Sequence, residues 1–253
     1  MQSGPMVPRL LKRGVAAGAV IIGAEAVYAM LRPTPRFAEF DPSGAFGEPH
    51  LPPIRVAVIG DSSVTAPGVA GPEEIWVSRV CSRLAETRHV TLQSYAVGGS
   101  KAADLIESQL DHTLAFGPDL VLVSVGANDA IRGVSLGAFE SQLDELIAAL
   151  ADTGALVIMS GVGDLGTIPR LHPPLRNMMS RRSARFNRVH EIVAARYGAH
   201  VIDHRSDNPD IWYQDRNLWS PDLFHVSAAG HERWANLTWR TIEPLLAMAH
   251  GPG

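Results

Sequence analysis

The 253 residues include a single cysteine, Cys81, so an intrachain disulfide framework is excluded. Charged residues make up only 19% of the chain, the net charge is -4, and no basic stripe stands out. Since a basic stripe is the electrostatic footprint of nucleic-acid binding, we expect no nucleic-acid partner. With 46% hydrophobic residues the chain can bury a substantial core, which excludes a disordered protein.

Motifs typical of cofactor chemistry are missing as well. No G-x-G-x-x-G follows the first predicted strand, which argues against a dinucleotide-binding fold. A two-metal phosphoesterase could draw on five polar residues of this chain: Asp61, Asn128, Asp129, His225 and His231. The Asp-x-His pair that is typical of that class does not occur. We therefore expect neither a metal nor an organic cofactor.

An apolar stretch over 14–31 is interrupted only by Glu25 and is at the short end of what can cross a bilayer. The basic residues before it favour an orientation with the rest of the chain outside the cytoplasm: Arg9, Lys12 and Arg13. Arg32 and Arg36 weaken that asymmetry. We predict an uncleaved membrane anchor over 1–31, and the alternative is an amphipathic helix on the domain or on a membrane surface.

Residues 32–53 are rich in proline and glycine and are predicted to be a linker. From residue 54 onward, β-branched runs alternate with helical patterns. The predicted strands cover 54–60, 90–97, 118–126, 155–161 and 199–203, and the helices 73–87, 101–114, 136–151, 181–197 and 228–249. This alternation predicts one α/β domain over 54–253, with a parallel sheet covered on both faces.

Ligands of open α/β sheets bind beyond the carboxyl ends of the strands, so polar residues there are the first candidates for a site. Ser62 and Ser63 follow the first strand and are candidate nucleophiles. His225 lies in a polar loop before the last helix, and Asp222 is three residues earlier, close enough to orient the imidazole of a general base. The alternative is a helix N-terminal turn in which Asp222 is only a local acceptor.

Donors for an oxyanion are available at the same predicted edge. The amide of Asn128 and the backbone N–H of Gly99 each follow a predicted strand. The alternative for Asn128 is helix capping or an Asx turn.

The segments "GDSS", "VGGS", "GAND" and "DLFHVSAAGH" together resemble the four blocks of the SGNH (GDSL-type) hydrolases, in the same order. The resemblance implies a flavodoxin-like three-layer α/β/α fold with a five-stranded parallel sheet and no metal. It also implies site residues: Ser62 as nucleophile, His225 as base, Asp222 as orienting acid, and the N–H of Ser62, the N–H of Gly99 and the Asn128 side chain as oxyanion donors.

Three positions depart from the pattern of that family. Ser63 replaces a leucine, Val226 replaces a proline, and Ser94 replaces an asparagine that makes a supporting hydrogen bond in that family. None of these changes removes a reacting group.

The sequence therefore predicts a membrane-anchored serine esterase or lipase that hydrolyses short- to medium-chain acyl esters outside the cytoplasm. An O-acyltransferase that passes the acyl group to a sugar or alcohol hydroxyl is an alternative within the same family. A membrane-tethered binding module without turnover is an alternative of another class. The segment 165–180 could form a wall of the acyl pocket or a plain connecting loop.

Overall fold

The computed structural model describes residues 23–25, 28, 35 and 37–249. Its central feature is a six-stranded sheet with the strand order β1-β3-β2-β4-β5-β6, in which β2 to β6 are parallel. The strands are Gly44–Phe46 (β1), Pro53–Gly60 (β2), His89–Ser94 (β3), Leu120–Ser124 (β4), Leu156–Ser160 (β5) and His200–Ile202 (β6). The helices are Ser62–Thr65 (α1), Trp76–Leu84 (α2), Ala102–Ser108 (α3), Leu110–Phe116 (α4), Ala127–Ile131 (α5), Leu136–Ala151 (α6), Leu175–Tyr197 (α7), Pro209–Gln214 (α8) and Ala228–Ala249 (α9).

Helices cover both faces of the sheet because its strands are apolar on both faces. In β4, Leu120 and Leu122 join one buried cluster with α2 and α9, whereas Val121 and Val123 join a second cluster with α3, α4, α6 and α7. This alternation follows from the two-residue period of a strand. The three-layer α/β class is therefore confirmed, and the order of the five parallel strands is the flavodoxin-like one.

The prediction of a five-stranded sheet was wrong by one strand. Gly44–Phe46, inside the predicted linker, pairs antiparallel with β3 as an edge strand. Ser43, next to it, accepts a hydrogen bond from the backbone N of Ser94 at 2.9 Å. Three residues among prolines and glycines carry too short a pattern to be recognised as a strand.

The predicted helix over 101–114 is divided into α3 and α4, with the break at Gln109. The fully buried side chain of Gln109 accepts from the backbone N of Gly60 at 2.8 Å and donates to its carbonyl at 3.0 Å. Gln109 therefore satisfies the backbone N–H of Gly60 and adds a donor to its carbonyl, at the point where β2 extends past its pairing with β3.

The predicted N-terminal anchor falls mostly outside the described residues. No helix within the described part of the chain is both long enough and apolar enough to cross a bilayer. Glu25 is described, and its carboxylate accepts hydrogen bonds from the backbone N of His172 and from that of Leu175 at the start of α7.

Candidate active site

Ser62 is placed at the carboxyl end of β2 as the first residue of α1. Asp61 caps this helix and accepts a hydrogen bond from the backbone N of Ser63 at 2.9 Å. A Cβ on Gly60 would lie 2.6 Å from the carbonyl oxygen of Ser124, so only glycine fits where β2 passes β4. The turn thus presents Ser62 at the edge of the sheet.

The other carboxylate oxygen of Asp61 accepts from the side-chain N of Asn128 at 2.9 Å. Burial raises the pKa of Asp61, against the hydrogen bonds from Ser63 and Asn128. Asp61 thereby connects the ends of β2 and β4, and it positions the candidate nucleophile relative to Asn128.

Two backbone donors lie at this edge of the sheet. The N–H groups of Ser62 and Gly99 have no acceptor among the residues that the structure describes. Gly99 adopts a left-handed conformation with φ of 81°, which turns the chain directly after Gly98. Unpaired N–H groups at a strand end can bind a developing oxyanion.

The side-chain amide of Asn128 already has two hydrogen-bond acceptors in the structure. Its side-chain N donates to Asp61 at 2.9 Å and lies 3.2 Å from the carbonyl oxygen of Ser100. Both amide hydrogens therefore have acceptors, and the longer bond to Ser100 is the one that an oxyanion could share.

His225 and Asp222 form the predicted pair. His225 Nδ1 is 2.7 Å from Asp222 Oδ2, while Asp222 Oδ1 accepts from the Ser220 hydroxyl and from the backbone N of Phe224 and His225. Burial alone would raise the pKa of Asp222, but these hydrogen bonds outweigh it and hold the pKa well below its usual range. Asp222 is thus a fixed carboxylate that can orient His225 and stabilise its protonated form.

The turn between them is tight. Leu223 adopts a positive φ of 59°, which is uncommon for a side chain of this size. This conformation lets the carboxylate of Asp222 reach the imidazole three residues later.

Ser62 and His225 line the same cleft. No described residue forms a hydrogen bond with the Ser62 hydroxyl. Hydrogen bonds between a nucleophile and its base are often long before substrate binds. The structure therefore places His225, bonded to Asp222, in the same cleft as Ser62.

The cleft has a volume of about 140 Å³ and runs along the carboxyl edge of the sheet from β2 to β6. Its lining is mainly apolar. The walls are formed after β2 and β4 by Ala66, Pro67 and Ile131, after β5 by Val162, Leu165, Thr167 and Ile168, and beyond β6 by Trp212, Trp219 and Trp234. The segment 165–180 thus does contribute to the wall, although α7 already begins at Leu175.

The three residues that differ from the family pattern, Ser63, Ser94 and Val226, each have a contact in the structure. The hydroxyl groups of Ser63 and Ser124 form a hydrogen bond of 2.6 Å, so the Ser63 hydroxyl contacts Ser124 and not Ser62. Ser94 Oγ accepts from the backbone N of Ala96 at 3.4 Å, and Ser43 supports the backbone of Ser94 from the edge strand side. Val226 is buried and pairs with Trp219 in an isolated antiparallel bridge.

Sequence reasoning missed two polar groups of the cleft. Ser160 and His204, at the ends of β5 and β6, are joined by a 2.8 Å hydrogen bond between Oγ and Nε2. His231, considered above only as a metal ligand, is buried against the backbone N of Trp76. Small polar residues at the ends of adjacent parallel strands were the available signal.

The residues of the rival metal site do not form a cluster. Within the described residues no group of three or more His, Cys, Asp or Glu side chains is placed to hold a metal ion. Asp129 instead accepts from the backbone N of Ala102 at the start of α3.

The profile of the GDSL-like lipase/acylhydrolase family matches residues 58–233, which contain every candidate site residue. The chain belongs to this family. It is 26% identical to the GDSL-like esterase Rv1075c of Mycobacterium tuberculosis over 198 residues, which are 76% of this chain and 63% of that protein. It is 25% identical to the esterase TesA of Pseudomonas aeruginosa over 191 residues, 75% of this chain and 88% of TesA.

A crystal structure of TesA superimposes with a TM-score of 0.62 at 25% identity and covers 76% of this chain and 99% of that one. Family membership and these esterases assign the domain to the carboxylic ester hydrolases. The match spans somewhat less than two thirds of the Mycobacterium tuberculosis esterase.

Proposed function

We propose that this protein is a serine esterase that hydrolyses short- to medium-chain acyl esters with Ser62, His225 and Asp222. The observation that supports the proposal most is the 2.7 Å bond between His225 and the buried carboxylate of Asp222, in the same cleft as Ser62. This bond leaves Nε2 of His225 as the basic nitrogen, since Nδ1 carries the proton donated to Asp222.

In the first step Ser62 Oγ attacks the ester carbonyl carbon while His225 Nε2 takes its proton. The carbonyl electron pair moves onto oxygen, and the tetrahedral intermediate then expels the alcohol, which receives the proton from His225. In the second step water attacks the acyl group on Ser62, gives its proton to His225, and the acid leaves as the proton returns to Oγ. Asp222 stabilises the protonated His225 in both steps.

The oxyanion of each intermediate would be bound by the free N–H groups of Ser62 and Gly99. Asn128 would add a third donor by turning its Ser100 bond toward the oxyanion. Each such donor contributes on the order of 3 kcal/mol to transition-state stabilisation.

The test is a chain-length series of p-nitrophenyl esters from acetate to dodecanoate, with the wild type and Ser62→Ala. We expect kcat/KM to be highest for short or medium chains and to be abolished in Ser62→Ala. Undiminished hydrolysis by Ser62→Ala would refute the assignment of the nucleophile. Absence of hydrolysis in both proteins would favour a transferase with a dedicated acceptor.

We also propose that residues 1–31 attach the domain to a membrane outside the cytoplasm. The hydrogen bonds from His172 and Leu175 give the Glu25 carboxylate partners at the domain surface, which supports an arrangement that keeps this charge out of hydrocarbon. Fractionation of cells that express the full chain or residues 37–253 tests this. The proposal fails if both forms remain in the soluble fraction.

A further inference from the structure

The Ser160–His204 pair lies at the far end of the same cleft, beyond β5 and β6. Both residues are 8% exposed and line the cleft. The proposed mechanism uses neither of them. A hydrogen-bonded polar pair in an apolar cleft needs an explanation, because burial of polar groups is costly.

The protonation of His204 follows from its unpaired nitrogen. Nδ1 is buried and has no hydrogen-bond partner among the described residues, while Nε2 contacts Ser160 Oγ. Buried N–H groups without an acceptor are rarer in proteins than acceptors without a donor. We therefore assign the lone pair to Nδ1 and the proton to Nε2, which donates to Ser160. The Ser160 hydroxyl is then free to donate its own hydrogen.

His231 offers a second donor on the same side of the cleft. Its Nδ1 accepts from the backbone N of Trp76 at 3.4 Å, so the proton of the neutral ring is on Nε2. No described residue accepts a hydrogen bond from this Nε2–H. Burial, with smaller effects of Arg79 and His225, lowers the pKa of His231 to about 3, so the ring is neutral near pH 7.

The walls around these donors are aromatic and held in place. Trp212 donates to Asp207 at 3.0 Å, and Trp219 donates to the carbonyl oxygen of Trp212 at 2.9 Å. Trp234 packs against both histidines, with centroid distances of 5.4 Å to His204 and 5.3 Å to His231. Hydrogen bonds in such low-dielectric surroundings are stronger than in water.

Provided that the protein is an ester hydrolase, we infer that this end of the cleft binds an acyl group carrying a hydrogen-bond-accepting oxygen, which receives hydrogen bonds from Ser160 Oγ and His231 Nε2. The acyl part fits this place better than the alcohol. The alcohol must leave before water attacks, whereas the acyl group stays attached to Ser62 and can occupy the aromatic end of the cleft.

The test compares two p-nitrophenyl esters of the same shape, the 4-oxopentanoate and the 4-methylpentanoate, with the full-length protein. They differ in whether carbon 4 carries an oxygen or a methyl group. With each kcat/KM divided by the hydroxide-catalysed rate of the same ester, we expect the wild type to prefer the oxo ester by about tenfold, the effect of one or two neutral hydrogen bonds. Ser160→Ala and His231→Phe should each lower this preference by about threefold or more.

Ser63→Ala is the matched control, because it removes a hydroxyl from the same cleft that is already bonded to Ser124. It should change both rates by one common factor. Equal wild-type rates, or a preference that persists in both Ser160→Ala and His231→Phe, would overturn the inference. Hydrolysis of both esters by Ser62→Ala, or of neither ester by the wild type, would instead contradict the proposed function.

Discussion

The two serine–histidine pairs of the cleft are in opposite hydrogen-bonding states. Ser160 and His204 are joined directly at 2.8 Å, but His204 Nδ1 has no carboxylate partner among the described residues. His225 has no hydrogen bond to Ser62 within the described chain, yet its Nδ1 is 2.7 Å from Asp222. The sequence offers the same two residue types at both places, so their surroundings must decide which pair can react.

A general base must accept a proton and carry the charge that results. Asp222 is placed to balance such a charge at His225, whose side chain is 26% exposed. Burial lowers the pKa of His204 to about 4, because the charged ring would have neither water nor a paired carboxylate. The backbone N–H of Ser62, which has no acceptor among the described residues, and the side chain of Asn128 also lie in the cleft with His225. A short serine–histidine distance is therefore a weaker criterion for a nucleophile than an oriented base with donors for the oxyanion.

The difference between the two pairs is tested most directly by replacing each serine with alanine in turn. Ser62→Ala should lower kcat on p-nitrophenyl butyrate by on the order of 10⁴-fold or more, as expected for loss of a triad nucleophile. Ser160→Ala should still turn over. The reverse outcome, loss with Ser160→Ala and retention with Ser62→Ala, would move the nucleophile to β5.

The carboxylate is the second difference between the pairs. Asp222→Asn should lower kcat by up to about 10⁴-fold, because an amide cannot stabilise the protonated His225 and can favour the wrong tautomer. A steady-state hydrolysis assay measures this effect, and circular dichroism checks that the variant is folded. An activity within tenfold of the wild type would show that His225 needs no carboxylate, and the contrast with His204 would lose its basis.

The oxyanion donors are the third difference. Asn128→Ala should lower kcat by about 10²- to 10³-fold with little change in KM, since the donor acts mainly in the transition state. An unchanged kcat would mean that Asn128 serves only to hold Asp61 and the carbonyl of Ser100. Thermal unfolding of the variant separates the two roles. If Asn128 only holds Asp61, its loss lowers the unfolding temperature but leaves kcat unchanged.

A local pattern was enough to predict the bond between His225 and Asp222, but not the bond between Ser160 and His204. Asp222 and His225 are three residues apart, so one turn can join them, and the sequence predicts their pairing. Ser160 and His204 are 44 residues apart and meet only because β5 and β6 are neighbours in the sheet. A single strand pattern contains no information about which strand lies beside it.

The fold shows the same limit. The five parallel strands and the edge that carries the site follow from periodicity. The edge strand Gly44–Phe46 and the break at Gln109 do not, because both depend on distant partners, β3 and Gly60. Ser43, from the predicted linker, likewise bonds to distant partners in β3, the side chain of Gln93 and the backbone N of Ser94.

Protonation of the buried His204 should lower the free energy of unfolding but should not affect the pH profile of catalysis. The unfolded chain protonates His204 near its usual pKa of 6.5, but the folded protein does so only near 4. The contribution of neutral His204 to stability is therefore fully present above pH 6.5 and is lost as the pH falls toward 4. Protonation of His204 alone lowers the free energy of unfolding by about 2 kcal/mol between pH 7.5 and pH 5.

Urea denaturation of the wild type and His204→Gln at those two pH values measures the effect. The wild type should lose about 2 kcal/mol more than the variant, since His231 and the other groups are common to both. Equal losses would mean that His204 titrates normally when folded, and the argument that it cannot serve as a base because of burial would fail.

The smallest expected effect concerns the serine beside the candidate nucleophile. Ser63→Ala should keep kcat/KM within about threefold, because its hydroxyl is bonded to Ser124 and the Asp61 cap uses its backbone N. The loss of that neutral hydrogen bond should lower the free energy of unfolding by about 1 kcal/mol. A steady-state assay beside a urea titration separates the two effects. A loss of activity as large as that of Ser62→Ala would mean that the turn after β2 needs both hydroxyls, and that Ser124 belongs to the reacting end of the cleft.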